Sequence, residues 1–153
     1  MYIDFTSNLK IETENLLSII DSSDFSNLEN FKVAVRDYEL VTELSEAELY
    51  AWEVYTDVFI HSFEYWDNNL DSWAQLIGGS ETTTLGSDCT EGGWFRRTWC
   101  KIKNFVLSDA SGAAGEVLVA FAFNNPIVFG GVVVAGLSSS AGAAIWNIVK
   151  NLL

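Results

Sequence analysis

The chain is poor in proline, histidine and positive charge. One proline, Pro126, in 153 residues argues against a sandwich or propeller with proline-rich turns. One histidine, His61, excludes every site that needs two. Eight Lys and Arg stand against 21 Asp and Glu, a formal net charge of −13. Such a surface repels phosphates, so nucleic acid is not expected as a partner. The acidity does not imply disorder, because hydrophobic residues make up 49% and charged residues only 19%. The length fits one domain, or one domain with a short appendage. A globule of this size buries about 68–70% of its unfolded surface and needs no metal or disulfide scaffold to fold, and no cofactor is expected.

The charge is divided unevenly. Residues 1–92 hold 19 acidic against three basic residues (Lys10, Lys32, Arg36), a net of −16. Residues 93–153 hold two acidic (Asp109, Glu116) against five basic residues, a net of +3. Asymmetry of this kind means two functional regions, or one half neutralising the other. The N-terminal stretch MYIDFTSNLKIE has no basic n-region and no apolar h-region, so no signal peptide is read there.

Residues 1–79 read as an acidic helical bundle. Glycine is absent until Gly78, and apolar residues recur at helical spacing. A first helix near 6–20 carries Leu9, Leu16, Ile19 and Ile20. A second, near 26–41, opens with the capping-box pattern Ser26-Asn27-Leu28-Glu29 and carries Leu28, Phe31, Val35, Tyr38 and Val41. A third, near 46–77, opens with a second box, Ser45 to Glu48, and stops at Gly78-Gly79. Its seam of Trp52, Phe59, Phe63, Trp66, Leu70, Trp73 and Ile77 reads as a core stripe against the first two helices. On the opposite face Glu53, Asp57, His61 and Glu64 have the spacing of a metal set. Carboxylate-bridged bundles use Glu-x-x-His on two helices, however, so a solvated polar face is the simpler reading.

Residues 80–93 read as a linker rich in Gly, Ser and Thr. Gly78-Gly79 and Gly92-Gly93 resemble the double-glycine cleavage points of exported peptides, although paired glycines are also common in turns. Cys89 and Cys100 either bridge, which stabilises by roughly 3 kcal/mol, or stay reduced as in a cytosolic protein. The bridge is favoured because Cys89 sits in a polar loop, where a free thiol has little packing role. Too few ligands are present for a zinc site.

Residues 94–153 combine a basic-aromatic helix with an apolar Gly/Ala/Val-rich hairpin. Trp94, Phe95, Arg96, Arg97, Trp99, Lys101 and Lys103 suit a membrane surface, where aromatic rings sit at headgroup level. Docking on the acidic bundle of the same chain fits them equally. No charged residue occurs from Val117 to Val149, and Asn124-Asn125-Pro126 reads as a turn. The arm Pro126–Val149 would measure about 36 Å as a helix, longer than the roughly 30 Å of hydrocarbon in a bilayer. The arm Ala110–Phe123 is shorter and includes Glu116, costly at mid-bilayer. Small residues four apart, among them Gly112, Gly115, Gly131, Ala135 and Gly142, let helix backbones approach closely, as in a glycine zipper. In water the hairpin is expected to pack along the Trp52–Ile77 seam, with Trp66 and Trp73 facing Gly131, Ala135 and Gly142.

Ala51-Trp52, Ser62–Trp66, Trp94–Trp99 and Asp109-Ala110-Ser111-Gly112-Ala113 together resemble a group of small bacterial proteins with an acidic helical N-terminal region and a bacteriocin-like Gly/Ala-rich C-terminal hairpin. The resemblance implies an architecture rather than an activity. The fold class expected is all-α, a helical bundle followed by a helical hairpin. No nucleotide-binding loop, nucleophile elbow or His-Glu-x-x-His occurs, so an enzyme is not expected. The sequence instead points to a secreted or membrane-associated protein of toxin or bacteriocin-like, membrane-active type. Its expected partners are a lipid bilayer or another protein chain, with a homo-oligomer in view. The alternative is a soluble all-α interaction or self-assembly module whose tail is its core.

Overall fold

The computed structural model describes residues 6–76 and 89–122. Within them the fold is all-α: α1 (Ser7–Ser22), α2 (Leu28–Arg36), α3 (Glu46–Leu76) and α4 (Trp94–Ala122), with no strand among the described residues. The turn expected at 124–126 and the arm after it lie outside these residues.

Paired side chains give the topology. Tyr50 lies tilted against Phe121, Ser62 bonds Asp109, and Trp66 stacks on Phe105. Positions rise along α3 as they fall along α4, so the two helices are antiparallel. Asn8 reaches Glu43 and Thr6 reaches Glu48, while Asp24, just beyond α1, meets Gly93. Helix α1 therefore runs parallel to α3. Helix α2 runs back along α3, with Phe31 against Phe63 and Tyr38 against Trp52. The result is an up-down-up-down arrangement.

One core joins all four helices. Leu9, Leu16 and Ile20 of α1 and Phe31 and Val35 of α2 belong to the same buried cluster as Phe59 and Phe63 of α3 and Phe95, Ile102, Val106 and Val117 of α4. Phe63 is its hub, with ring centroids 4.4 Å from Phe31 and 5.3 Å from Phe95. Phe25 closes the same cluster edge-on to Phe95 at 4.8 Å, a geometry that sets ring edge against ring face.

The helix ends differ from the sequence expectation in two places. Helix α2 covers Leu28–Arg36 rather than 26–41, and its cap is Asn27, whose side chain accepts the Asn30 N–H at 2.9 Å, not Ser26. The early stop has a tertiary cause. The buried carboxylate of Glu12 accepts the Tyr38 hydroxyl at 2.7 Å, the Val41 N–H at 3.0 Å, and both the N–H and hydroxyl of Thr42. These bonds draw the chain off the helical path, and Val41 ends up exposed. At α3 the expected box forms reciprocally: Ser45 N–H donates to Glu48 at 2.7 Å and Glu48 N–H to Ser45 at 3.3 Å. The hydroxyl of Thr6 also donates to Glu48.

The basic-aromatic stretch and the first arm of the expected hairpin form one continuous helix, α4. Ser108 to Gly112 do not interrupt it, because the buried face continues through Ala110, Ala113 and Ala114 to Val117.

Burial raises the Glu12 pKa, but the bonds from Thr42, Tyr38 and Val41 outweigh it, and the carboxyl lies below its usual value of 4.5. Glu48 is also lowered, first by the Thr6 hydroxyl and then by the Ser45 N–H. Groups depressed on folding stabilise above their unfolded pKa, and that contribution is lost as pH falls through the folded value. Denaturant melts should therefore show stability falling below about pH 4.5. Glu12→Leu should cost roughly 2–3 kcal/mol at pH 7, because it strands several donors, and should flatten this acid limb.

Candidate functional site

The region with the most polar chemistry is the grip of aspartates on α4 and its partner helix. At its start, Gly92 takes φ +86°, and an added Cβ there would meet Arg96 at 2.8 Å. Asp24 accepts from the N–H of Gly93, just before the helix, at 2.9 Å and from that of Arg96, in its first turn, at 3.4 Å. A carboxylate at a helix N-terminus satisfies orphan donors and complements the helix dipole. The Gly92-Gly93 pair is thus a turn fitted to Asp24, since a Cβ on Gly93 would press on that carboxylate at 3.0 Å.

Three indole N–H groups also find aspartates. Trp99 donates to Asp21 at 2.8 Å, and Lys103 pairs with the same carboxylate at 2.7 Å. Trp94 donates to Asp67 at 3.2 Å, which also accepts the Thr98 hydroxyl at 3.3 Å. Trp66 donates to Asp109 at 3.3 Å, and the Ser62 hydroxyl reaches the same oxygen at 2.7 Å. An indole is largely apolar, and its one N–H needs an acceptor when buried. A carboxylate at the end of each ring lets the rings enter the core without a stranded donor. Among the described residues no buried side-chain polar atom lacks a partner.

Cys89 and Cys100 form a disulfide with Cα atoms 5.6 Å apart, tying the segment before α4 to its second turn. The bridge and Asp24 therefore hold the same end of the helix.

The residues grouped by sequence as a membrane surface are split by this geometry. Phe95 and Trp99 are buried in the core, and Trp94, Lys101 and Lys103 are half-buried. Only Arg96 and Arg97 face outward in full. Of the small residues, Gly115 is buried and Gly112 half-buried; Gly131, Ala135 and Gly142 lie outside the described residues. The seam assigned to the hairpin is already covered from Phe59 to Trp66: Phe31 and Phe95 lie on Phe63, Trp99 on Phe59 and Phe105 on Trp66. On the polar face of α3, Glu53 and Asp57 are exposed and His61 and Glu64 half-buried, Glu64 pairing with Lys32 at 3.1 Å.

No protein-family model, curated protein or solved structure matches the chain. The functional reading rests on the residues themselves.

Sequence reasoning did not single out Glu12, Asp21, Asp24, Asp67 or the core position of Asp109. For two of them a signal existed. Glu12 falls on the Leu9–Leu16–Ile20 stripe, and Asp109 continues the spacing of Phe95, Trp99, Ile102 and Val106. An acid at a core position of an amphipathic helix implies a buried partner.

Two measurements check this site. Replacing both cysteines by serine should lower stability by about 3 kcal/mol, as expected for a loop of this length. Ser62→Ala removes a donor from a buried carboxylate and should cost about 1–3 kcal/mol, read as a drop in denaturation midpoint with unchanged slope.

Proposed function

We propose that the chain is an exported, membrane-active protein. In this reading a disulfide-pinned acidic helical head carries an uncharged apolar segment to a bilayer, as toxins and bacteriocin-like proteins do. The observation that carries the reading is the stretch from Val117 to Val149, which holds no charged side chain. It begins on the last turns of α4, at the end opposite the disulfide and the Asp24 cap. A disulfide suits an exported chain, because such bridges persist in oxidising compartments. Exposed Arg96 and Arg97, at the disulfide end of α4, would add attraction to anionic headgroups where that helix lies along the surface, each about 1 kcal/mol. No helix among the described residues is long and apolar enough to cross a membrane, so insertion is assigned to residues beyond Ala122.

Flotation of the full-length chain with liposomes tests the proposal. The chain should rise with anionic vesicles. Val133→Lys should reduce recovery by roughly tenfold or more, because lysine is costly in hydrocarbon. Arg96→Gln with Arg97→Gln should weaken binding at low salt and much less at high salt. A chain that stays in buffer under all these conditions supports the second reading, a soluble interaction or self-assembly module. That alternative draws on the exposed aliphatic side chains of α1, α2 and the loop after them.

A further inference from the structure

A groove of about 780 Å³ lies between α1 and α2 and the segment that follows α2. Its apolar lining includes Ile19, Val33, Ala34 and Val41. Three of these are well exposed: Ile19 at 46%, Val33 at 50% and Val41 at 67%. Single exposed aliphatics are ordinary, but several lining one groove mark an interaction surface. The early end of α2 creates it. The bonds from Tyr38, Val41 and Thr42 to Glu12 pull the chain across α1 and leave Val41 facing outward.

Charge selects the occupant. Asp37 and Glu39 also line the groove, both are exposed, and neither has an ion pair among the described residues. Arg36 is the cation beside them in sequence, and Lys10 of α1 is turned to Glu14. The surrounding N-terminal half carries a net of −16. A second copy of the same acidic face would be repelled, and so would an anionic membrane. A helix with aliphatic residues on one face and Lys or Arg flanking them satisfies both the lining and its acidic edge.

We infer that the α1–α2 groove is a docking site for a cationic amphipathic helix of a partner protein. Aliphatic side chains one turn apart enter between Ile19, Val33 and Val41, and basic residues reach Asp37 and Glu39. This site is separate from the apolar C-terminal segment and does not depend on the membrane reading.

The test titrates the full-length chain into a fluorescein-labelled 16-residue helical peptide with Leu along one face and Lys on the others, read by anisotropy. The expected result is saturable binding that weakens with salt. Val33→Asn should weaken it by roughly tenfold or more, because an apolar anchor is lost without a change of charge. Asp37→Asn with Glu39→Gln should weaken it severalfold and flatten the salt dependence. Glu53→Gln with Asp57→Asn removes the same charge from the exposed face of α3 and should leave binding unchanged. Unaltered circular dichroism melts confirm that the variants fold. Absence of binding, or equal losses in the α3 control, overturns the inference. So does a concentration-dependent dimer of the free chain that Val33→Asn dissolves, which would make the groove a self-association surface.

Discussion

The structure depends on the contact of Phe63 with rings from two other helices. Phe31 approaches it from α2 at 4.4 Å and Phe95 from α4 at 5.3 Å. Large rings bury more apolar surface than any aliphatic side chain, so one such junction fixes the spacing of three helices at once. Trp99 extends the junction onto Phe59, and the antiparallel run of α4 along α3 is carried by Phe105 on Trp66, Asp109 on Ser62 and Phe121 against Tyr50. Helix α1 adds Leu9, Leu16 and Ile20 to the same core.

A core built from tryptophan and tyrosine brings polar atoms with it, and the acidic residues of this chain absorb them. Asp21, Asp67 and Asp109 each accept an indole N–H, and Glu12 accepts the Tyr38 hydroxyl. Burial and the Glu12 charge push that hydroxyl up to about 12, so Tyr38 remains a donor throughout the ordinary pH range. These four acidic residues thereby serve as acceptors for the polar atoms of the rings. The charge asymmetry has a similar resolution at the Asp21–Lys103 pair, where the two halves of the chain meet directly.

Much of this fold was legible from periodicity. The stripes of α1 and α3 identified Leu9, Leu16, Ile20, Phe59, Phe63 and Trp66 as core, and all are buried, whereas Ile19, read on the same stripe, is exposed because it lies one residue off that face. Local rules also located the Ser45–Glu48 box. What they missed was set by partners distant in sequence. Nothing near Arg36 announces that α2 ends there, because the acceptor that ends it is Glu12 on another helix. Composition grouped Phe95 and Trp99 with Arg96 and Arg97, whereas helical rotation separates them into buried and exposed sets. Reading α4 at 100° per residue would have made that division; grouping by residue type could not.

The cap of α4 bears on the order of assembly. The N–H groups of Gly93, just before the helix, and of Arg96, in its first turn, are satisfied by Asp24, 69 and 72 residues earlier in the chain. A helix usually finds its cap in the residue just before it, and nucleation is then a local event. Here the acceptor arrives only when the end of α1 has reached Gly93. Without α1 docked against it, α4 has only water to accept from the N–H groups of Gly93 and Arg96. The start of α4 is thereby coupled energetically to the docking of the end of α1.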